Sequence, residues 1–346
     1  MDERRRKRSR RHGAAACAAL VFALSALLVP AGAVSAPDLG GETQLLVPVG
    51  KAIGVKLFAE GVLVVGLSEN EGAVSPAKKG GMKAGDLILT MNDVTIGSTE
   101  HLQSLLAENG EREAAFGVRR GGRLVKLAVC PKKGQDGVCR LGAWIRDSMA
   151  GIGTVTYYDP ATGAFGALGH GITDGDTMAL MPFGSGSILP STVKAVKKGS
   201  SGSAGELRGN FDLSGDLGPL CANTDCGIFG TLPADCTLAA GEALPVGDAV
   251  EGPATIRANV SGDEVREYAV EILKRLPNAS DGREMVISVT DPDLIAATGG
   301  IVQGMSGSPI LQNGKLVGAV THVLLSDATK GYGISMETML NAGENV

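Results

Sequence analysis

The sequence predicts a mainly β chain, with two β-rich domains behind one N-terminal membrane anchor. Three observations carry this prediction. The 346 residues are too many for one ordinary domain. The 51 glycines are about twice the usual share of roughly 7%, while aromatic residues make up only 3%. Stretches of strand length, rich in Val, Thr and Ile, alternate with glycine turn signals, which favours short strands over helices.

Residues 1–12 carry seven basic side chains (Arg4, Arg5, Arg6, Lys7, Arg8, Arg10 and Arg11) against two acids. That segment contributes +5 to a chain of net charge −5, so the remainder sums to −10. An uncharged apolar run, residues 13–34, follows directly. As a helix its 22 residues would span about 33 Å, enough to cross a bilayer. The basic run is therefore read as a cytoplasmic flank that sends the rest of the chain across the membrane, not as a nucleic-acid arm. The expected order is a flank at 1–12, a signal anchor at 13–36 and a polar linker at 37–46. Val34-Ser35-Ala36 and Ala31-Gly32-Ala33 are small-residue cleavage candidates, and Pro37 directly after the first favours an anchor that is retained or slowly removed. Beyond the anchor lie Cys130, Cys139, Cys221, Cys226 and Cys236. Cys130 with Cys139, and two of the other three, could pair outside the cytoplasm; scattered thiols fit equally well. No zinc-type spacing occurs, and neither metal nor cofactor is expected.

Residues 47–130 read as a compact β-rich unit. Gly61-Val62-Leu63-Val64-Val65-Gly66 is a buried strand bounded by glycines, and residues 80–92 read as a turn, a half-helix and a strand. Ser98 or Thr99 can cap a helix whose apolar face includes Leu102, Leu105 and Leu106. The phrase Gly81-Met82-Lys83-Ala84-Gly85-Asp86-Leu87-Ile88-Leu89 resembles bacterial PDZ modules. The resemblance implies a peptide groove between the strand at 52–57 and the helix near Ser98, with Ile53, Gly54 and Val55 holding the bound peptide as an added strand. Its occupant would be a peptide or the chain's own N-terminal segment.

Residues 131–140 read as a linker and 141–346 as a second, barrel-type β domain. Strands at 154–158 and 164–168 flank a hairpin turn at 159–163. Residues 265–275 are either a helix or a long strand. Asn313-Gly314 is a tight hairpin turn between strands at 309–312 and 315–323.

The chemistry lies in Gly304-Met305-Ser306-Gly307-Ser308-Pro309, which has the Gly-x-Ser-Gly-x-Pro form of a serine-protease nucleophile turn. Glycines there let the backbone approach a substrate carbonyl closely. The N–H groups of Gly304 and Ser306 can converge as an oxyanion hole. A serine needs a base to become a nucleophile. His170, between two glycines at the end of a strand, suits that role because its ordinary pKa lies near 6.5. The acid that would orient it is one of Asp159, Asp174, Asp176, Asp291 and Asp293, and spacing alone does not choose. His322, on the strand after the nucleophile turn, is a candidate for a specificity pocket or a structural histidine.

Three segments make a longer match: residues 147–154, Gly166-Ala167-Leu168-Gly169-His170-Gly171-Ile172, and residues 299–310 around Ser306. Together they resemble the SpoIVB peptidase family (stage IV sporulation protein B) across anchor, PDZ unit and peptidase domain. The resemblance implies a chymotrypsin-like serine endopeptidase with Ser306 as nucleophile, His170 as base and Asp291, in Thr290-Asp291-Pro292, as the acid. It implies export into the space between the forespore and mother-cell membranes, and self-cleavage in the stretch 37–47. It also implies cutting of a membrane-bound regulator, which activates an intramembrane protease and so the processing of a late sigma factor. The competing reading is an exported PDZ adaptor whose protease-like domain is inactive.

Overall fold

The computed structural model describes residues 44–344, except 71, 72, 213, 214, 277, 278, 280 and 281. The basic flank, the anchor and residues 37–43 of the linker lie outside the described residues. Among those described, no helix is long and apolar enough to cross a membrane. The described residues form one compact unit.

The main elements, in chain order, begin with β1 (Leu45–Pro48), β2 (Ala52–Leu67), β3 (Leu87–Met91), α1 (Thr99–Asn109), β4 (Ala114–Arg120) and β5 (Arg123–Val129). Next come β6 (Ala143–Tyr158), β7 (Ala164–Ala167), β8 (Ser185–Lys197), β9 (Glu206–Phe211), β10 (Gly218–Thr224) and β11 (Gly227–Thr231). The last group is β12 (Gly252–Ser261), β13 (Glu264–Arg275), β14 (Met285–Val289), α2 (Pro292–Thr298), β15 (Pro309–Gln312), β16 (Lys315–Val323), β17 (Lys330–Ser335) and α3 (Met336–Glu344). Residues 265–275, open between helix and strand in the sequence, belong to strand β13. Its alternate burial of Tyr268, Val270 and Ile272 is the period of a sheet with one covered face.

Two rings of strands organise the molecule. In the first, β2 pairs with β6, β6 with β7, β7 with β11, β11 with β10, β10 with β8, and β8 again with β2. Closing the ring leaves no free edge along those contacts. Ile53, Val55, Val155, Phe165, Ile188 and Ile228 fill its interior. The second is a closed barrel, β12-β13-β14-β17-β16-β15, filled by residues such as Ile256, Val270, Ile287, Met305, Ile310 and Val320. Asn313 and Gly314 both have positive φ (52° and 73°) in the β15–β16 turn, the geometry such two-residue hairpins require.

A third cluster lies where β2 continues to Leu67. There β3, β4, β5 and α1 join the long sheet around Val62, Val64, Ile88, Leu102, Leu106 and Phe116. Ser98 caps α1 through its side chain, accepting from the His101 N–H. Gly61, expected to bound a strand, instead lies within β2, because a Cβ there would come within 2.4 Å of the Ile88 carbonyl. The glycine permits close approach of β3 rather than ending a strand.

The groove expected over Ile53, Gly54 and Val55 is corrected. These residues pair with Gly153, Ile152 and Gly151 of β6 on one side, and with Pro190, Leu189 and Ile188 of β8 on the other. Ile53 and Val55 are buried, and a Cβ on Gly54 would collide with the Phe211 ring at 2.5 Å. With both edges paired, no peptide can add there. The cysteines beyond the anchor are all free thiols.

Candidate active site

β7 ends at Ala167, and the chain then reverses within three residues. Leu168 takes φ +70°, and the Gly169 N–H bonds back to the Ala167 carbonyl at 2.9 Å, a three-residue γ-turn. A left-handed leucine costs on the order of 1–3 kcal/mol and persists only where its surroundings hold it. Here the Leu168 N–H donates to Thr154 O at 3.1 Å, and its side chain fills the space that a Cβ on Gly153 would need. Gly169 lies against the second barrel: a Cβ there would sit 3.0 Å from the Thr321 methyl and 3.1 Å from Ile334. The turn thus carries His170 from the first ring to β16 of the second.

His170 is half-buried. Its Nδ1 lies 2.9 Å from the Gly171 carbonyl oxygen. A carbonyl can only accept, so that contact assigns the proton to Nδ1 and leaves Nε2 as the basic nitrogen. Burial pushes the imidazole pKa below its ordinary value, and the Gly171 bond opposes this in part. The ring is therefore neutral at neutral pH, the form a general base requires.

Ser306 is partly exposed and donates its hydroxyl to the Thr321 carbonyl at 2.7 Å. Ser308, the other hydroxyl in the motif, is fully buried and has no hydrogen-bond partner among the described residues, so Ser306 is the accessible hydroxyl of the two. Thr154 of β6 holds the turn from beneath. Its Oγ1 donates to Gly304 O at 2.7 Å, and its N–H donates to Ser306 O at 3.0 Å. Gly307 has φ +97°, and a Cβ there would lie 2.0 Å from the Thr154 carbonyl, so only glycine fits.

The expected oxyanion donors are set by their neighbours. The Gln303 carbonyl accepts from the Leu207 N–H at 2.8 Å, and the Met305 carbonyl from the Ser308 N–H at 2.9 Å. In a trans peptide the N–H lies opposite the C=O, so the Gly304 and Ser306 N–H groups point away from those partners. Neither donates to another group among the described residues. Two fixed, unspent donors beside the nucleophile are what a developing oxyanion needs.

His170 and Ser306 thus contact adjacent residues of β16. The serine hydroxyl rests on Thr321, and the His322 ring faces the His170 ring with centroids 4.9 Å apart and planes tilted by 36°. β16 has a register shift between Val320 and His322 opposite β17, and Thr321 lies in it. Such bulges re-aim side chains next to active sites.

Asp291 lies elsewhere in its contacts. It is the N-cap of α2: Oδ1 accepts from the Asp293 and Leu294 N–H groups at 3.0 and 3.1 Å, and Oδ2 from the Ala269 N–H at 3.2 Å. Three of the other carboxylates considered are also engaged. Asp159 accepts from Ala161 N–H and the Thr162 hydroxyl in its own turn. Asp174, fully buried, pairs with Arg146 and ties down the loop after His170 through the N–H groups of Asp176 and Thr177. Asp176 pairs with Arg146 at 3.0 Å, and Asp293 is exposed. The Nδ1 position that a triad acid would take is filled by the Gly171 carbonyl.

One open strand edge escaped the sequence reading. Over residues 143–151, β6 pairs with β2 along one edge and with no strand along the other, among the described residues. Next to that stretch, the Asp147 carboxylate accepts the Thr99 N–H at the start of α1 at 2.7 Å. Ala143, Ile145 and Leu105 pack partly buried against the same core. The only signal in the sequence was Asp147 itself, at the head of a segment read for other reasons.

A family model described as SpoIVB peptidase S55 matches residues 137–340, and a PDZ-domain model matches residues 70–120. Among solved structures, the chain is similar to the PDZ domain of the SdrC-like protein (Lmo2051) from Listeria monocytogenes. The identity is 16% over 25% of this chain and 87% of that one, with a TM-score of 0.22. It is also similar to the active form of the Rv3671c protease from M. tuberculosis, at 15% identity over 57% of this chain and 73% of that one, TM-score 0.30. For the inactive form of that protease the values are 16%, 56%, 82% and 0.29. No curated protein matches.

Proposed function

Because the chain belongs to the SpoIVB peptidase family and carries a PDZ domain, we propose that it is an exported, self-cleaving serine endopeptidase of endospore formation. Its substrate is a membrane-bound regulatory protein, and the cut activates an intramembrane protease and, through it, a late sigma factor. A chymotrypsin-like division of labour is supported by one observation above all: His170 comes from the first ring and Ser306 from the second barrel, and they contact adjacent residues of β16, Ser306 at Thr321 and His170 at His322.

In the reaction, the Ser306 hydroxyl turns from the Thr321 carbonyl to His170 Nε2 and gives up its proton there as Oγ attacks the substrate carbonyl. The Gly304 and Ser306 N–H groups receive the oxyanion, a contribution of about 3 kcal/mol per donor in such sites. Self-cleavage falls before Leu45, because Leu45–Pro48 is strand β1 and Leu46 is fully buried. The PDZ ligand is an extended peptide that adds to the open edge of β6 beside α1. Ser306→Ala should abolish both self-processing and fluorophosphonate labelling while leaving the melting temperature unchanged. Self-processing by the purified variant would refute the assignment. A parent protein that takes up no phosphonate would instead make it an adaptor with an inactive peptidase fold.

A further inference from the structure

We propose that the β5 edge of the PDZ unit is a docking surface for an anionic membrane, held by a cluster of lysines and arginines and entered by Leu124. Residues 76–86 and 119–126 hold seven basic side chains (Lys78, Lys79, Lys83, Arg119, Arg120, Arg123 and Lys126) and one acid, Asp86, a net charge of +6. Residues 13–346 as a whole sum to −10, so positive charge collects here against the trend of the chain. The fold brings the two segments together. Asp86 is fully buried, and its carboxylate accepts Arg120 Nε at 2.6 Å, Arg120 Nη2 at 2.7 Å and the Lys83 N–H at 2.9 Å. Arg120 Nη2 also donates to the Gly81 carbonyl at 2.7 Å. A Cβ on Gly80 would lie 2.5 Å from the Val129 side chain, so the turn that carries Lys78, Lys79 and Lys83 rests directly on β5. The one acid is thus spent in the interior on its two-pronged bond with Arg120. Arg119 pairs with Glu60 at 2.7 Å. Lys79, Lys83, Arg123 and Lys126 are exposed and form no ion pair among the described residues.

The strand order in this unit is β6-β2-β3-β4-β5, and β5 pairs only with β4. Its alternation turns Val125, Leu127 and Val129 to the core and leaves Leu124, Lys126 and Ala128 exposed. Lysines on an edge strand would by themselves guard against pairing with another chain. Leu124 works against such protection. It is 76% exposed and follows the Gly121-Gly122 turn, whose φ angles of 53° and 77° make a tight two-residue hairpin. An apolar side chain near a hairpin tip, flanked by cations without acidic partners, fits a leaflet that presents phosphate groups over hydrocarbon. The cations stay with the headgroups while the leucine reaches the acyl boundary. The open edge of β6 is the opposite end of the same strand order, so a membrane and a bound peptide need not compete. The inference deepens the reading above, because a peptidase released from its anchor would stay on the surface where its substrate lies; the surface itself is tested apart from that reading.

The test uses the full chain carrying Ser306→Ala, so that the proposed self-cleavage plays no part. It is reconstituted with vesicles of phosphatidylcholine alone, or of phosphatidylcholine mixed equally with phosphatidylglycerol, and amide hydrogen exchange is followed by mass spectrometry. Exchange over residues 119–126 should slow by about tenfold or more in the anionic vesicles only, and the effect should fade in high salt. Lys79→Glu, Arg123→Glu and Lys126→Glu together should return exchange to within about twofold of its rate in neutral vesicles. Leu124→Ser should weaken the protection by about threefold or more. Both variants should keep the parent's melting temperature, because all four side chains are exposed. Equal exchange in the two kinds of vesicle would overturn the proposal and leave the patch to an acidic protein partner. Protection that survives charge reversal, or the loss of Leu124, would overturn it as well. With Ser306 replaced throughout, none of these outcomes bears on the peptidase assignment, and failure of that assignment would leave them unchanged.

Discussion

Thr154 is a buried hydroxyl with one evident task. It fixes the Gly304 carbonyl through its side chain and the Ser306 carbonyl through its N–H. Thr154→Val keeps the shape but orphans the Gly304 carbonyl, so the turn should loosen and the oxyanion donors drift. We expect kcat on a peptide substrate to fall by about 10- to 100-fold with little change in KM, since the loss is felt mainly in the transition state. His170 carries a prediction in pH. Burial lowers its pKa, so the folded protein binds fewer protons than the unfolded chain over the interval below about 6.5. Activity should therefore persist below pH 6.5, with the acid limb of kcat/KM centred lower than for a free imidazole. Stability from this group is fully present above that pH and declines as pH falls through the interval. An acid limb centred above 6.5 would contradict the burial argument.

Among the elements, α1 and the open edge of β6 carry the proposed peptide binding. Ile145→Arg places a charge on the apolar floor of that groove and should weaken peptide capture by about tenfold or more without slowing phosphonate labelling of Ser306; titration with an immobilised peptide library measures it. How far such elements were legible depends on what their signals encode. Ser306 was readable because a glycine-framed serine before proline answers a strict steric need, which the 2.0 Å clash at Gly307 makes plain. His170 was readable from its flanking glycines and strand. Asp291 was ambiguous for a physical reason: Asp followed by Pro is also the signature of a helix N-cap with proline in the first turn, and that is the use its bonds display. The His170–His322 contact was illegible, because it depends on a bulge that breaks the two-residue alternation on which strand reading relies. Ile53, Gly54 and Val55 were misplaced because a strand paired on both edges and a groove-lining strand have the same apolar composition.

At the scale of the molecule, the first ring closes only because β2, from the N-terminal side of the PDZ unit, joins strands from beyond it. A fragment beginning at residue 141 would lack one of six staves and expose the unpaired amides of β6 from Ala143 to Thr154. We expect it to aggregate, and expect a second polypeptide covering 44–130 to restore solubility when co-expressed; a well-folded, monomeric 141–346 fragment by circular dichroism and sedimentation would contradict this. The same continuity has a further consequence. Modules that recognise peptides usually travel between proteins as beads on a string, cut at the linkers. Here the string runs through the bead: two strands belong at once to the PDZ unit and to the first ring. Exchanging the one would mean re-threading the other, so new specificity can come only through side-chain changes along the shared strands.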